Sequence, residues 1–197
     1  MNSSEEFKQP TGHIGIILHR GGEYDIETNT VQGGELLEQI EFKNLIVNTA
    51  STLMAQRLAP GYEQNKNTGT FIADGLQYLA VGTIVDPDNP GNFNYMSPPP
   101  ATVEQTKLEK ELFRKEFTSW TFLDPSGNST GNNPTNILRL ATTFMENEAV
   151  GPLVEMGLFG GNATATADTG YMFNYKTFAV WNKPSDARLT VTWKLTF

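Results

Sequence analysis

The chain has no cysteine. That excludes a disulfide framework and a thiolate site, and it fits synthesis in a reducing cytoplasm. Histidine is scarce as well, with only His13 and His19. No apolar run approaches the roughly 18 residues of a membrane-crossing helix. The first residues, Met1-Asn-Ser-Ser-Glu-Glu-Phe-Lys8, lack the basic and apolar regions of a secretion signal, so neither membrane nor export is expected. Cations are the minority, 14 Lys and Arg against 22 Asp and Glu, for a net charge of -8. A phosphate backbone repels such a surface, and no nucleic-acid partner is expected. Lys107, Lys110, Arg114 and Lys115 make no basic patch, because Glu104, Glu109, Glu111 and Glu116 interleave with them. Phosphate-cradling glycine loops and the nucleophile-elbow pattern are both missing.

What is present is β-pattern. From Arg188 to Phe197 apolar and polar residues alternate, with Leu189, Val191, Trp193, Leu195 and Phe197 on one side and threonines and Lys194 on the other. Successive side chains of a strand point to opposite faces, so this segment buries one face and wets the other. Strands are also expected over 41–47, 76–82, 113–123, 137–145, 154–159 and 171–181, separated by Gly, Asn, Ser and Pro. Turn signals every 8–12 residues predict a sandwich or barrel. The last strand is expected to pair with 171–181 across the Asn182–Asp186 turn. One or two short helices are expected. One starts at Asn48-Thr49-Ala50-Ser51, carries Leu53, Met54 and Leu58 at helical spacing, and stops at Pro60-Gly61. The other follows a capping-box pattern at Thr102–Gln105 and runs through Leu108. Prolines 87, 90, 98, 99 and 100 predict an irregular loop between 83 and 100.

Residues 1–40 read as an arm or β-extension, packed on its own domain or exchanged with a neighbour. Gly21-Gly22 and Gly33-Gly34 punctuate it around one apolar run, Ile14-Gly-Ile-Ile-Leu18. Residues 41–197 read as the folded domain.

Chemistry-bearing sets are sparse. His13 and His19 lie six apart on one strand face, with Glu23 and Asp25 nearby, and two histidines fall short of a metal site. The plain reading is two exposed strand histidines. Asp86-Pro-Asp88-Asn89 offers hard oxygen ligands in ordinary turn residues, without calcium-loop spacing. The pairs Glu146/Glu148 and Glu109/Glu111 serve glycoside chemistry only if the fold converges them. No cofactor and no catalytic residue is nominated. Glu155 reads as an inward acid satisfied by backbone donors or as a plain surface residue. Gly82 and Gly157 suit close backbone approach or a bulge. Tyr62, Phe71, Phe93 and Tyr95 lie in polar loops, where aromatics stack on sugars or dock partners.

Four segments in order carry a family resemblance: Phe42-Lys-Asn-Leu-Ile-Val-Asn48-Thr49 entering a helix, Leu79-Ala-Val-Gly82-Thr83, Leu108-Glu-Lys-Glu-Leu-Phe-Arg114-Lys115, and Glu155-Met-Gly157-Leu-Phe159 with the terminal Trp193-Lys-Leu-Thr-Phe197. The set resembles tailed-bacteriophage virion structural proteins of the tail-fibre and collar type, over about residues 41–197. The chain departs from the pattern at Ile84, where a second glycine is usual, and in its long 83–101 loop. The resemblance implies a mainly β protein: a jelly-roll-like sandwich that assembles with copies of itself and other virion proteins, without catalysis. The expected location is the virion, at the neck, tail or baseplate, with capsid decoration and carbohydrate-binding host recognition as alternatives. Ile14, Ile16, Leu18, Trp193 and Phe197 are the candidate assembly contacts. Tyr62, Phe93 and Tyr95 are the candidate glycan contacts.

Overall fold

The computed structural model describes residues 10–50, 53–54, 74–86, 89–93, 100–131 and 133–197. The chain leaves β1 (Thr11–Arg20) through a small hairpin, β2 (Glu23–Asp25) and β3 (Thr30–Gln32), and returns as β4 (Glu35–Lys43). After β5 (Leu45–Ile46) comes a helical turn that includes Thr49, Ala50, Leu53 and Met54. Next are β6 (Asp74–Thr83), a second hairpin of β7 (Val85–Asp86) and β8 (Asn89–Phe93), and β9 (Lys110–Glu116). The remaining strands are β10 (Ser119–Leu123), β11 (Ser129–Gly131), β12 (Ile137–Phe144), β13 (Gly151–Gly161), β14 (Tyr171–Lys183) and β15 (Arg188–Thr196).

These strands form two main sheets. One has six strands in the order β11-β10-β12-β15-β1-β4, and the other has five in the order β5-β14-β13-β6-β9. Their inner faces share one apolar core, in which Ile14, Ile16, Val191 and Trp193 of the first sheet meet Leu79, Met156, Leu158 and Phe173 of the second. The protein is therefore a mainly β sandwich, as the turn spacing predicts. The alternation of the last strand is also realised, with Leu189, Val191, Trp193 and Leu195 all buried.

Several expectations need correction. Of the readings given for residues 1–40, the described part, 10–40, follows the one packed on its own domain, and more deeply than an extension. β1 lies inside the six-stranded sheet, with Ile16 opposite Val191 of β15 on one side and Ile40 of β4 on the other. Its apolar run is continuous because both faces are covered: Ile14, Ile16 and Leu18 face the second sheet, while Ile17 sits with Tyr24 and Ile26 of the β2–β3 segment. The glycines at the neck of that hairpin permit two chains to cross. A Cβ on Gly22 would lie 2.3 Å from the Gln32 carbonyl oxygen, and one on Gly34 would lie 2.3 Å from that of Gly21.

β15 does not pair with β14. Its neighbours are β1 and β12, and the 184–187 turn carries the chain from one sheet to the other. The expected single strand 113–123 is likewise two strands in different sheets. The Phe117 amide still bonds to Gln77 of β6, whereas the next amide, Thr118, bonds to Ala141 of β12. Residues 102–105 close a turn rather than a helix. Part of the proline-rich 83–100 stretch is the β7–β8 hairpin, with Pro90 inside β8. Of the first expected helix, residues 49–50 and 53–54 are helical, and the rest to Leu58 lies outside the described residues.

Because β1 is central, deleting residues 1–40 should abolish cooperative unfolding, measured by circular dichroism, rather than leave a folded domain. Ile16→Ala should lower stability by about 2–5 kcal/mol in denaturant titrations, since the cavity opens where both sheets meet.

Candidate functional site

The outer face of the five-stranded sheet carries the charged groups that organise the surface. Along β13 the side chains of Met156 and Leu158 enter the main core, while Phe159 joins a second apolar cluster on the other side with Tyr78, Leu108 and Tyr175. Glu155 is a wholly buried acid, with 0% of its surface exposed. It is the inward acid with backbone donors: Glu109 and Lys110 amides donate to it at 3.0 and 2.9 Å, and the Tyr175 hydroxyl at 2.7 Å. Gly82 makes room for it, because a Cβ there would stand 2.6 Å from a Glu155 oxygen and 2.5 Å from the Lys110 carbonyl. Burial outweighs the three donors and lifts the Glu155 carboxyl up to about 7. Burial, then the adjacent carboxylate, raises the Tyr175 hydroxyl.

Beside it, the side chains of Arg114 and Glu111 form a buried bidentate pair at 2.7 and 2.8 Å. The guanidinium also donates to the carbonyls of Thr164 and Thr169 and lies 4.4 Å from the centre of the Phe159 ring. Arg114 thus ties the 162–170 loop to the sheet. This arrangement fixes one wall of an open groove of about 600 Å³, where β6 begins, β9 ends and β13 gives way to the loop.

The groove is built from residues distant in sequence. Trp120 and Phe122 of β10 stand opposite Leu140 and Leu138 of β12, hence on the inward side of the six-stranded sheet. β10 nevertheless lies beyond β12 toward the sheet edge, so Trp120 keeps 57% of its surface exposed. The crossover residue Phe117, Tyr78, Glu116, Gln77 and Asn162 are also in the lining. Tyr78 donates to Glu116 Oε1 at 2.9 Å. Among the described residues, Glu116 Oε2 and the Asn162 side-chain amide have no partner. Sequence reading missed this site because its parts come from four strands and a loop. The one signal was the aromatic content of both faces of 113–123.

The residues nominated from sequence fall elsewhere. Ile14, Ile16, Leu18 and Trp193 are buried in the core between the two sheets. Phe197 is half exposed and rests edge-on against Phe173 at 6.2 Å. Phe93 lies in β8, while Tyr62, Phe71 and Tyr95 lie outside the described residues. His13 is exposed but His19 is buried, correcting the reading of two exposed histidines; His19 Nδ1 bonds to the Gly21 carbonyl at 2.9 Å. Six strand residues separate the two rings by roughly 20 Å, too far to share an ion. Asp25 is engaged as a turn cap, and the Glu27 and Thr28 amides hold its carboxyl below the usual range. Among the described residues, no three His, Asp or Glu converge on a metal position.

The paired acids are spent on structure. Glu146 binds Arg188, Glu148 binds Lys115, and Glu111 binds Arg114. No helix among the described residues is long and apolar enough to cross a membrane.

Two outcomes test these buried charges. Folding raises the pKa of Glu155 from 4.5 to about 7, so the native state holds the extra proton between those values. Stability should therefore fall by about 3 kcal/mol as pH rises through that window, then level off. Glu155→Gln should flatten that slope in melts taken across pH 4–8. It should also cost about 1–3 kcal/mol at pH 5, because its amide NH₂ faces a donor. Glu111→Gln should destabilise by about 3 kcal/mol, since it leaves the Arg114 charge buried and uncompensated.

A scan against protein-family models gives no match for this chain, and a search of curated proteins gives none either.

Proposed function

We propose that this protein is a non-enzymatic structural component of a bacteriophage particle, assembling with copies of itself at the neck, tail or baseplate as a collar or short fibre. One observation in the fold supports it. β4 is a nine-residue strand at the edge of the six-stranded sheet, and among the described residues it pairs only with β1. Its outer side offers a row of backbone donors and acceptors, the template on which a neighbouring chain adds a strand. Glu35, Glu38 and Glu41 lie along this strand. Their like charge disfavours two β4 edges meeting symmetrically, and so favours a head-to-tail contact with a different surface of the next copy. Head-to-tail contacts close into rings, the geometry of a collar. Under this reading the joining element is β4, and residues 11–20 serve the interior.

The test is location and incorporation. Gold-labelled protein in purified particles, imaged by electron microscopy, should sit at the neck, tail or baseplate. Label over the capsid facets, or none on any particle, would reject the proposal. Leu36 is 50% exposed on β4. Leu36→Lys should therefore leave stability within about 0.5 kcal/mol while cutting incorporation at least about tenfold. Wild-type incorporation of this variant would remove β4 from the contact.

A further inference from the structure

We infer that the groove beside Trp120 is a binding site for a neutral glycan, with an aldohexose ring stacked on the indole. The observation is the pairing of one flat exposed aromatic with unengaged planar polar groups. A pyranose has a face of C–H bonds and a rim of hydroxyls, and it needs both kinds of surface at once. Trp120 supplies the apolar platform, with Tyr78 and Phe117 in the adjoining wall. The Asn162 amide supplies a donor and an acceptor side by side, and Glu116 Oε2 accepts from a hydroxyl. The volume, about 600 Å³, is in the range of small-molecule sites and holds one or two sugar rings.

The walls are held before any ligand arrives. Glu116 is fixed by the Tyr78 hydroxyl, and the loop bearing Asn162 is pinned at Thr164 and Thr169 by buried Arg114. Sugars bind weakly, so a site that orders itself only on binding would forfeit much of the gain. Charge selects the class. Among the described lining residues Glu116 is the one carboxylate and there is no lysine, arginine or histidine, so on a chain of net charge -8 sialylated and uronic-acid sugars are disfavoured.

A protein partner fits less well. Stable contacts bury roughly 800 Å² per side. Among the described residues the other large exposed apolar side chains, Leu36, Val103, Met145, Val150 and Phe197, are absent from the groove lining, so Trp120 is not the centre of a broad apolar patch there. The inference is independent of where the protein sits on a particle.

Saturation-transfer NMR on the full chain tests it, with methyl β-glucoside, methyl β-galactoside, N-acetylglucosamine and sialyllactose as probes. Transfer to the ring C–H protons of at least one neutral probe is expected, and none to the sialic acid ring. Trp120→Ala should weaken binding at least about tenfold, and Trp120→Phe should retain part of it. Asn162→Ala, at a second exposed position, should weaken it independently, which guards against a folding defect at Trp120. Absence of transfer to every neutral probe would overturn the inference. So would binding that survives both alanine variants. A change of oligomeric mass on Trp120→Ala, with no sugar binding by the wild type, would assign the groove to a subunit contact instead.

Discussion

The ladder between β1 and β15 is the contact on which the sandwich depends. It joins residues 11–19 to residues 188–196, and it puts two strands of alternating apolar residues at the centre of the six-stranded sheet. Ile14 stands opposite Trp193 and Ile16 opposite Val191, all in the main core. β12 and β4 attach to this pair from either side. The second sheet packs onto the face that the pair creates, so the two are coupled through the same few side chains.

Buried charge is used with little waste on the outer face of the second sheet. Glu155 has three donors, and Arg114 has a bidentate acid, two carbonyls and an aromatic face. Such groups contribute little net stability when paired and cost several kcal/mol when one partner is lost. Their effect is to fix where the 101–109 and 162–170 segments lie. The Trp120 groove owes its shape to that fixing rather than to its own apolar contacts.

Alternation made β15 legible, and the spacing of turns made the sandwich legible. The sheet exchange at Phe117–Thr118 was not, because period-two patterning continues unbroken while the chain changes partners. Aromatics on both faces were its trace: Phe113 packs edge-on to Phe144, while Trp120, beyond the core, lines the open groove. The partner of β15 was misread for a related reason. Neighbours in sequence usually pair, and the Asn182–Asp186 turn resembles a hairpin turn. The run Ile14–Leu18 held the evidence that β1 is interior, since continuous apolar residues mean a strand covered on both faces. The groove was not legible at all. Tyr78, Glu116, Trp120 and Asn162 converge only once both sheets exist.

The β1–β15 ladder also has a consequence for biosynthesis. Ile16 and Val191 are paired across about 175 residues of chain. At roughly 5–20 residues per second, a ribosome makes β15 about 10–35 s after β1. Through that interval the apolar run Ile14–Leu18 lacks the partner that shields one of its edges. Non-local sheets of this kind also close slowly, because the loop entropy is lost before the contact is gained. The nascent protein therefore has a built-in waiting period, during which a chaperone or high dilution decides between folding and aggregation.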